Sequence, residues 1–173
     1  MIIRPLDRDT DRRGVEAIDT SFETRSVFDL VTTARAIELV ERPLPAPLIK
    51  RYSIGEVFAH WARWDHGWVA DDGGIRGFAT VEHEPWHGRL LLWFLYIDPG
   101  YRRRGVGRAL LAQVEAHGRD LGASHVWLET SNVNVPGVAA YERLGYTLCG
   151  ADRTYYGDYM PGETALYLAK SIS

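Results

Sequence analysis

A chain of 173 residues that is 46% hydrophobic and 12% aromatic is long enough to bury a core, and a single domain over residues 1–173 is expected. Its formal charge of −3 excludes a general attraction to nucleic acid, and its one cysteine, Cys149, excludes an internal disulfide and a cysteine-rich zinc cluster. The longest apolar run, "LLLWFLYI", is too short to cross a bilayer, and the charged start "MIIRPLDRDTDRRG" carries no apolar leader. A cytoplasmic protein with no membrane partner, monomeric or homodimeric, is therefore expected.

In chain order, residues Asp11 to Thr20 read as a short helix, and "TTARAIELVERPLPAPLIKRYS" as an irregular or strand-like segment punctuated by Pro43, Pro45 and Pro47. Trp61, Trp64 and Trp68 recur at helix-like spacing, which points to packing. "GWVADD" and "IRGFATVEHEP" read as a hairpin closed by "DDGG". "RLLLWFLYIDP" is a continuous apolar strand, expected at the centre of a sheet because an edge strand would alternate with polar residues. Val106, Leu110, Leu111 and Val114 then recur at helical spacing, with Gly122 as the stop. "HVWLETS" is a strand, "VPGVAAYERLG" a short helix opening near Pro136, and "YTLCGAD" and "ETALYLAKS" are the last strands. This order predicts a mixed α/β (α+β) fold, and the strand-helix-strand crossover makes the central pair parallel.

The stretch "DPGYRRRGVGRALL" crowds four arginines around the pair Gly105 and Gly107, at the point where the apolar strand gives way to a helix. Glycines at a helix start let backbone N–H groups approach an anion closely, and the helix dipole adds favourable potential. A Rossmann fingerprint needs a third glycine where Leu110 stands, and a P-loop needs Gly-Lys-Ser/Thr, so both nucleotide motifs fail. A solvated basic face would explain the arginines but not the glycine pair, which helices disfavour. Anion binding is the preferred reading.

"HEPWH", His83 to His87, satisfies the zinc-protease pattern His-Glu-x-x-His. That chemistry needs both histidines on one helix face, and Pro85 between strand-like flanks predicts a strand end and turn instead, so no metal is expected. Cys149 in "YTLCG" reads as a buried, inert strand thiol with no adjacent histidine to activate it.

"RRRGVG", Arg102 to Gly107, matches the Gln/Arg-x-x-Gly-x-Gly/Ala motif of the GCN5-related N-acetyltransferases (GNAT superfamily). "NVPGVAAYERLGY" resembles their second signature, an asparagine followed seven residues later by tyrosine. Within the superfamily the chain resembles the streptothricin acetyltransferases, in "AIDTSFETRSVFDL", "PAPLIKRY", "LETSNVNVPGVAAYERLGYTLCGAD" and "GETALYLAK". It departs from that group in an apolar central strand where acidic residues are expected. The resemblance implies a GNAT fold: a central, mixed, mostly antiparallel sheet flanked by helices, with parallel strands splayed at the cofactor. It implies acetyl-CoA as co-substrate. Leu95, Tyr96 and Ile97 would pair with the pantetheine arm, Arg102, Arg103, Arg104, Gly105, Val106, Gly107 and Arg108 would wrap the pyrophosphate, and Asn134 and Tyr141 would help fix the cofactor.

Acetyl transfer to an amine needs a base, because amines are mostly protonated at neutral pH, and a proton for the departing thiolate. Glu129 lies twelve residues before Tyr141, a spacing that resembles the glutamate and tyrosine pair of ribosomal-protein N-terminal acetyltransferases. Tyr141 is assigned as general acid and Glu129 as leading base; the bland readings are a helix tyrosine packed on the sheet and a carboxylate binding loop N–H groups. With the central strand apolar, Glu82, Glu84, Trp86 and Trp93 are the candidate acceptor-binding residues, with Asp152 and Asp158 near the end of the chain as further acids. The preferred acceptor is a primary amine of a small molecule, with streptothricin-like antibiotics as the named candidate, acetylated by direct transfer in a ternary complex. A protein N-terminus or lysine, and a noncatalytic acyl-CoA sensor, stand as alternatives.

Overall fold

The computed structural model describes residues Met1–Ser173, which fall into two compact units built from interleaved segments. The first comprises Met1–Ser21, Arg51–Trp127 and Ser171–Ser173, and the second Phe22–Lys50 and Leu128–Lys170. Mixed α/β architecture with mostly antiparallel pairing holds in both, as the sequence predicts.

In the first unit β1 (Ile2–Pro5), β4 (His66–Asp71), β5 (Ile75–Glu84) and β6 (Arg89–Ile97) lie side by side in that order, each antiparallel to the next. The hairpin of β4 and β5 turns through Gly73 and Gly74, both at positive φ, as "DDGG" requires. Helix α1 (Arg12–Glu16) is held by Arg4 of β1, whose guanidinium donates to Asp11, the residue preceding the helix, and to Asp71 of β4. Helix α2 (Val106–Asp120) buries Val106, Leu110, Leu111 and Val114, the periodic residues of the sequence, and ends before Gly122 in the left-handed region.

Strand β7 (His125–Ser131) begins beside the start of β6: Ser124 N donates to Gly88 O at 2.8 Å. Strands that start side by side run parallel, so β6, α2 and β7 form the expected crossover. A buried cluster of Val15, Ile18, Val57, Trp64, Val69 and Phe78 fills this unit. No helix is long and apolar enough to cross a membrane.

The second unit carries the remainder of β7, then α3 (Val135–Arg143), β8 (Thr147–Asp152) and β9 (Ala165–Ser171), in the lateral order β7, β9, β8. It also holds a separate hairpin, β2 (Phe22–Thr32) with β3 (Ile37–Lys50). The segment around the three prolines is a long strand, the second of its two expected forms, and the register jumps from Thr24↔Leu48 to Ser26↔Pro43, so residues 44–47 bulge out of the ladder. Pro45 and Pro47 lie in that bulge, where a missing N–H donor costs no pairing. Other expectations are corrected. Trp61, Trp64 and Trp68 share no helix: Trp64 is buried, Trp61 is about half exposed, and Trp68 is a residue of β4. Cys149 is exposed rather than buried, because β8 is the outermost strand of its sheet. The first helix is shorter than expected, and β1 carries no sequence signal beyond a pair of isoleucines.

Candidate active site

In the first unit, β6 delivers the chain to a tight turn that becomes α2. Asp98 caps the turn by accepting from Gly100 N at 3.0 Å. Two residues then adopt left-handed backbone, Arg103 at φ 58 and Gly105 at φ 83. Gly105 precedes α2 with no side chain to cap the first turn. As a result, no amide from Arg103 to Arg108 makes a hydrogen bond of ordinary geometry to the protein. Successive N–H groups exposed around alternating left-handed residues at a helix N-terminus form an anion-binding concavity. This fits a pyrophosphate on backbone alone. The side chains of Arg103, Arg104 and Arg108 are exposed around it.

Arg102 behaves differently from its neighbours. Its Nε donates to Ile97 O at 2.9 Å and its guanidinium reaches Asp19 O at 3.5 Å, and burial lowers its pKa. It braces the end of β6. Gly107 also has a role other than admitting phosphate: a Cβ there would sit 3.0 Å from Ile97 Cδ1, so the glycine sets the approach of α2 to β6. Leu95, Tyr96 and Ile97 pair with Ala79, Phe78 and Gly77 of β5 along one edge of β6.

Of the proposed acceptor residues, Glu82 and Trp93 come together. Trp93 is the extra residue at a bulge in β6, where the register passes from Thr80↔Phe94 to Val81↔Leu92. Its Nε1 donates to Glu82 at 2.8 Å; Arg63 lies 3.5 Å from the same carboxylate, and Trp61 packs on Trp93 with ring centroids 6.1 Å apart. Glu84 is tied instead to Arg89 at 2.5 Å and His87 at 3.3 Å. Trp86 stands on the surface turn at 85% exposure. "HEPWH" is a strand end followed by a 3-10 turn, with His83 in β5 and His87 in the turn, so its histidines share no helix face.

In the second unit, alternation along β7 puts Glu129 and Ser131 on the same side. Glu129 accepts a hydrogen bond at Oε1 from the Tyr156 hydroxyl, while its Oε2 has no protein partner. Ser131 donates to Glu163 at 2.5 Å, and Glu163 forms an ion pair with Lys50. Burial pushes the Glu129 carboxyl from 4.5 up to about 7; the Tyr156 hydrogen bond opposes the rise and the charge of Glu163 adds to it. Tyr141, on α3, has its pKa raised by burial and by Glu129, so its hydroxyl stays protonated. Its ring packs edge-on against Tyr146, with centroids 5.6 Å apart. Glu129 and Tyr141 thus share one environment, whereas Tyr156, Glu163, Ser131 and Lys50 carried no signal in the sequence.

Asn134 is the N-cap of α3. Its Oδ1 accepts from Gly137 N at 3.1 Å and its Nδ2 donates to Thr130 Oγ1 at 3.0 Å, fixing the helix that carries Tyr141. Asn134→Ala is expected to destabilise the fold by about 1 kcal/mol in urea unfolding, the usual worth of such a cap.

The raised Glu129 pKa also has a sign for stability. A carboxyl whose folded pKa lies above its unfolded value contributes stability in full below the unfolded value and loses it as pH rises through the folded one. Unfolding free energies measured at pH 5 and pH 8 are expected to fall more for the wild type than for Glu129→Gln, the window being from 4.5 to about 7. An identical pH slope in both proteins contradicts the assigned shift.

A family model described as the acetyltransferase (GNAT) family matches residues 34–146. The chain is 37% identical over 171 residues to streptothricin acetyltransferase of Streptomyces lavendulae, covering 94% of this chain and 90% of that protein. It is 35% identical over 82 residues to the ribosomal protein bS18 alanine N-acetyltransferase of Escherichia coli strain K12, covering 47% of this chain and 55% of that protein. Among solved structures it is similar to nourseothricin acetyltransferase, with a TM-score of 0.86 and 35% identity over 99% of this chain and 98% of that one.

Proposed function

The chain belongs to the acetyltransferase (GNAT) family and is an acetyl-CoA-dependent N-acetyltransferase, and on that premise we propose that it acetylates a primary amine of a streptothricin-like antibiotic. The observation that carries the choice of acceptor is coverage. Sequence similarity to the streptothricin enzyme runs through 94% of the chain, whereas sequence similarity to the enzyme acting on a ribosomal protein covers 47%. The resemblance to the antibiotic enzyme therefore extends beyond the half of the chain that is similar in both, the apolar central strand excepted. The reaction is assigned to the cytoplasm, where acetyl-CoA is held, and to one N-acetyltransferase domain over residues 1–173.

Bound acetyl-CoA supplies an acetyl thioester. The amides of Arg103 to Arg108 hold its pyrophosphate, the guanidinium groups of Arg103, Arg104 and Arg108 add positive charge, and Leu95, Tyr96 and Ile97 align its arm. Glu129, with Oε2 unoccupied and a pKa of about 7, takes the proton of the acceptor ammonium. Tyr141, protonated across the working range, gives a proton to the departing sulfur. Transfer is direct: Cys149 lies on an edge strand and its thiol donates to Tyr167 O at 3.4 Å, with no base beside it. Glu82, with Trp93, is the carboxylate for a second positive charge on the acceptor, because its own partner Arg63 is exposed and 3.5 Å away, whereas Glu84 is held by the half-buried Arg89 at 2.5 Å.

The test is mass spectrometry of streptothricin incubated with the purified protein and acetyl-CoA, beside a bS18 N-terminal peptide and with a Tyr141→Phe control. One added acetyl group on streptothricin, lost in the variant, is expected. Acetylation of the peptide alone overturns the acceptor, and cofactor binding without any transfer overturns the enzyme in favour of a sensor.

A further inference from the structure

The tyrosine that touches Glu129 has no role in the scheme above. Tyr156 lies in the segment between β8 and β9, far in sequence from β7, yet its hydroxyl donates to Oε1 of Glu129. A carboxylate has two oxygens, and a base needs only one of them free. With Oε1 occupied, the rotation of the carboxyl is fixed and Oε2 is the oxygen left to receive a proton. We propose that Tyr156 is a positioning residue, which fixes the Glu129 carboxyl with Oε2 presented to the acceptor amine. This rests on the reading of Glu129 as the base.

The surroundings of Glu129 explain why such a residue is needed. Glu163, bound to Ser131 on the same side of β7, places a second carboxylate near it and raises its pKa, with Lys50 of β3 paired to Glu163. Tyr141 of α3, Tyr155 beside Tyr156, and Tyr167 of β9 each have their pKa raised in part by the charge of Glu129, so they too face it. Among these groups Tyr156 alone opposes the rise at Glu129 through a direct hydrogen bond. Burial and Glu163 disfavour the carboxylate, and a phenol hydroxyl aimed at Oε1 restores it near neutral pH.

The experiment compares wild type, Tyr156→Phe and Glu129→Gln as full chains with one acceptor amine, so that titration of the amine is common to all three. The readouts are kcat/KM against pH, the KM for acetyl-CoA, and the carboxyl titration followed by carbon NMR on glutamate-labelled protein. In Tyr156→Phe the acidic limb and the Glu129 resonance are expected to move up together by about one to two pH units, the effect of losing a hydrogen bond to a charged group. Activity at pH 7 is then roughly tenfold lower and approaches wild type at high pH, with the acetyl-CoA KM unchanged. A Tyr156→Phe loss that is equal at every pH, or a Glu129 resonance that does not move, overturns the inference while leaving the base intact. If Glu129→Gln keeps full activity with an unaltered acidic limb, the base assignment fails, and the inference with it.

Discussion

Tyr141→Phe is expected to lower kcat for acetyl transfer by about 10²- to 10⁴-fold, the range of a single positioned acid, with acetyl-CoA affinity and unfolding midpoint nearly unchanged. The substitution removes one oxygen and keeps the ring that packs edge-on against Tyr146, so α3 retains its anchor. The hydroxyl stands in a buried position that raises its pKa, which keeps a proton available wherever the fold is stable. Single-turnover measurement with saturating acetyl-CoA isolates the transfer step. An unchanged rate refutes the proton-donor role whatever the acceptor proves to be.

Gly105→Val is expected to weaken acetyl-CoA binding by about 10- to 100-fold in calorimetry, equivalent to losing one or more hydrogen bonds to a charged group. At φ 83 the backbone of Gly105 occupies a region that costs an L-residue roughly 1–2 kcal/mol, and more for a β-branched one. Relief of that strain rotates the peptides that open the amides of Arg103 to Arg108 toward an anion. Nothing lies within 4 Å of a Cβ at this position, so the effect is conformational and not a clash. Gly107→Ala is the control: helical backbone accepts alanine, and the new methyl meets only the movable Cδ1 of Ile97. Comparable losses from both variants would mean that the cradle is sensitive to helix position, and not to the left-handed turn.

The sequence reading succeeds where local periodicity decides structure. Helix α2 is written in Val106, Leu110, Leu111 and Val114, and its start in Gly105. Strand β6 is written in an unbroken apolar run, and α3 in Asn134 and Pro136. It is weakest where tertiary context overrides propensity. The prolines of β3 read as interruptions because pairing partners are invisible in one dimension; a bulge absorbs two of them. The tryptophan triplet has helical spacing by coincidence: Trp61 and Trp64 lie in the irregular segment after the 3-10 turn at Ile54–Phe58, and Trp68 lies in strand β4. Cys149 reads as buried because apolar neighbours do not reveal that β8 is outermost. At the site, the Glu129 and Tyr141 pair is legible from spacing within one strand-helix unit. Tyr156 and Glu163 reach Glu129 only through the return of the chain after β8, which no short motif encodes.

The proline-bearing stretch of β3 has a bearing on how copies of this chain coexist at high concentration. A two-stranded ribbon offers two open edges, and Val31, Ile37, Val40 and Ile49 on this one are exposed, an invitation to strand-by-strand stacking with another molecule. The edge of β2 is taken up by Asn132, whose backbone carbonyl accepts from Phe28 N at 3.0 Å and whose side chain donates to Phe28 O at 2.8 Å. On β3, Pro43, Pro45 and Pro47 remove N–H donors from a short run, and the bulge bends it out of line, so an incoming strand finds neither a straight template nor a full set of donors. The same three residues that obscure the hairpin in the sequence thereby act as its guard against fibrillar association.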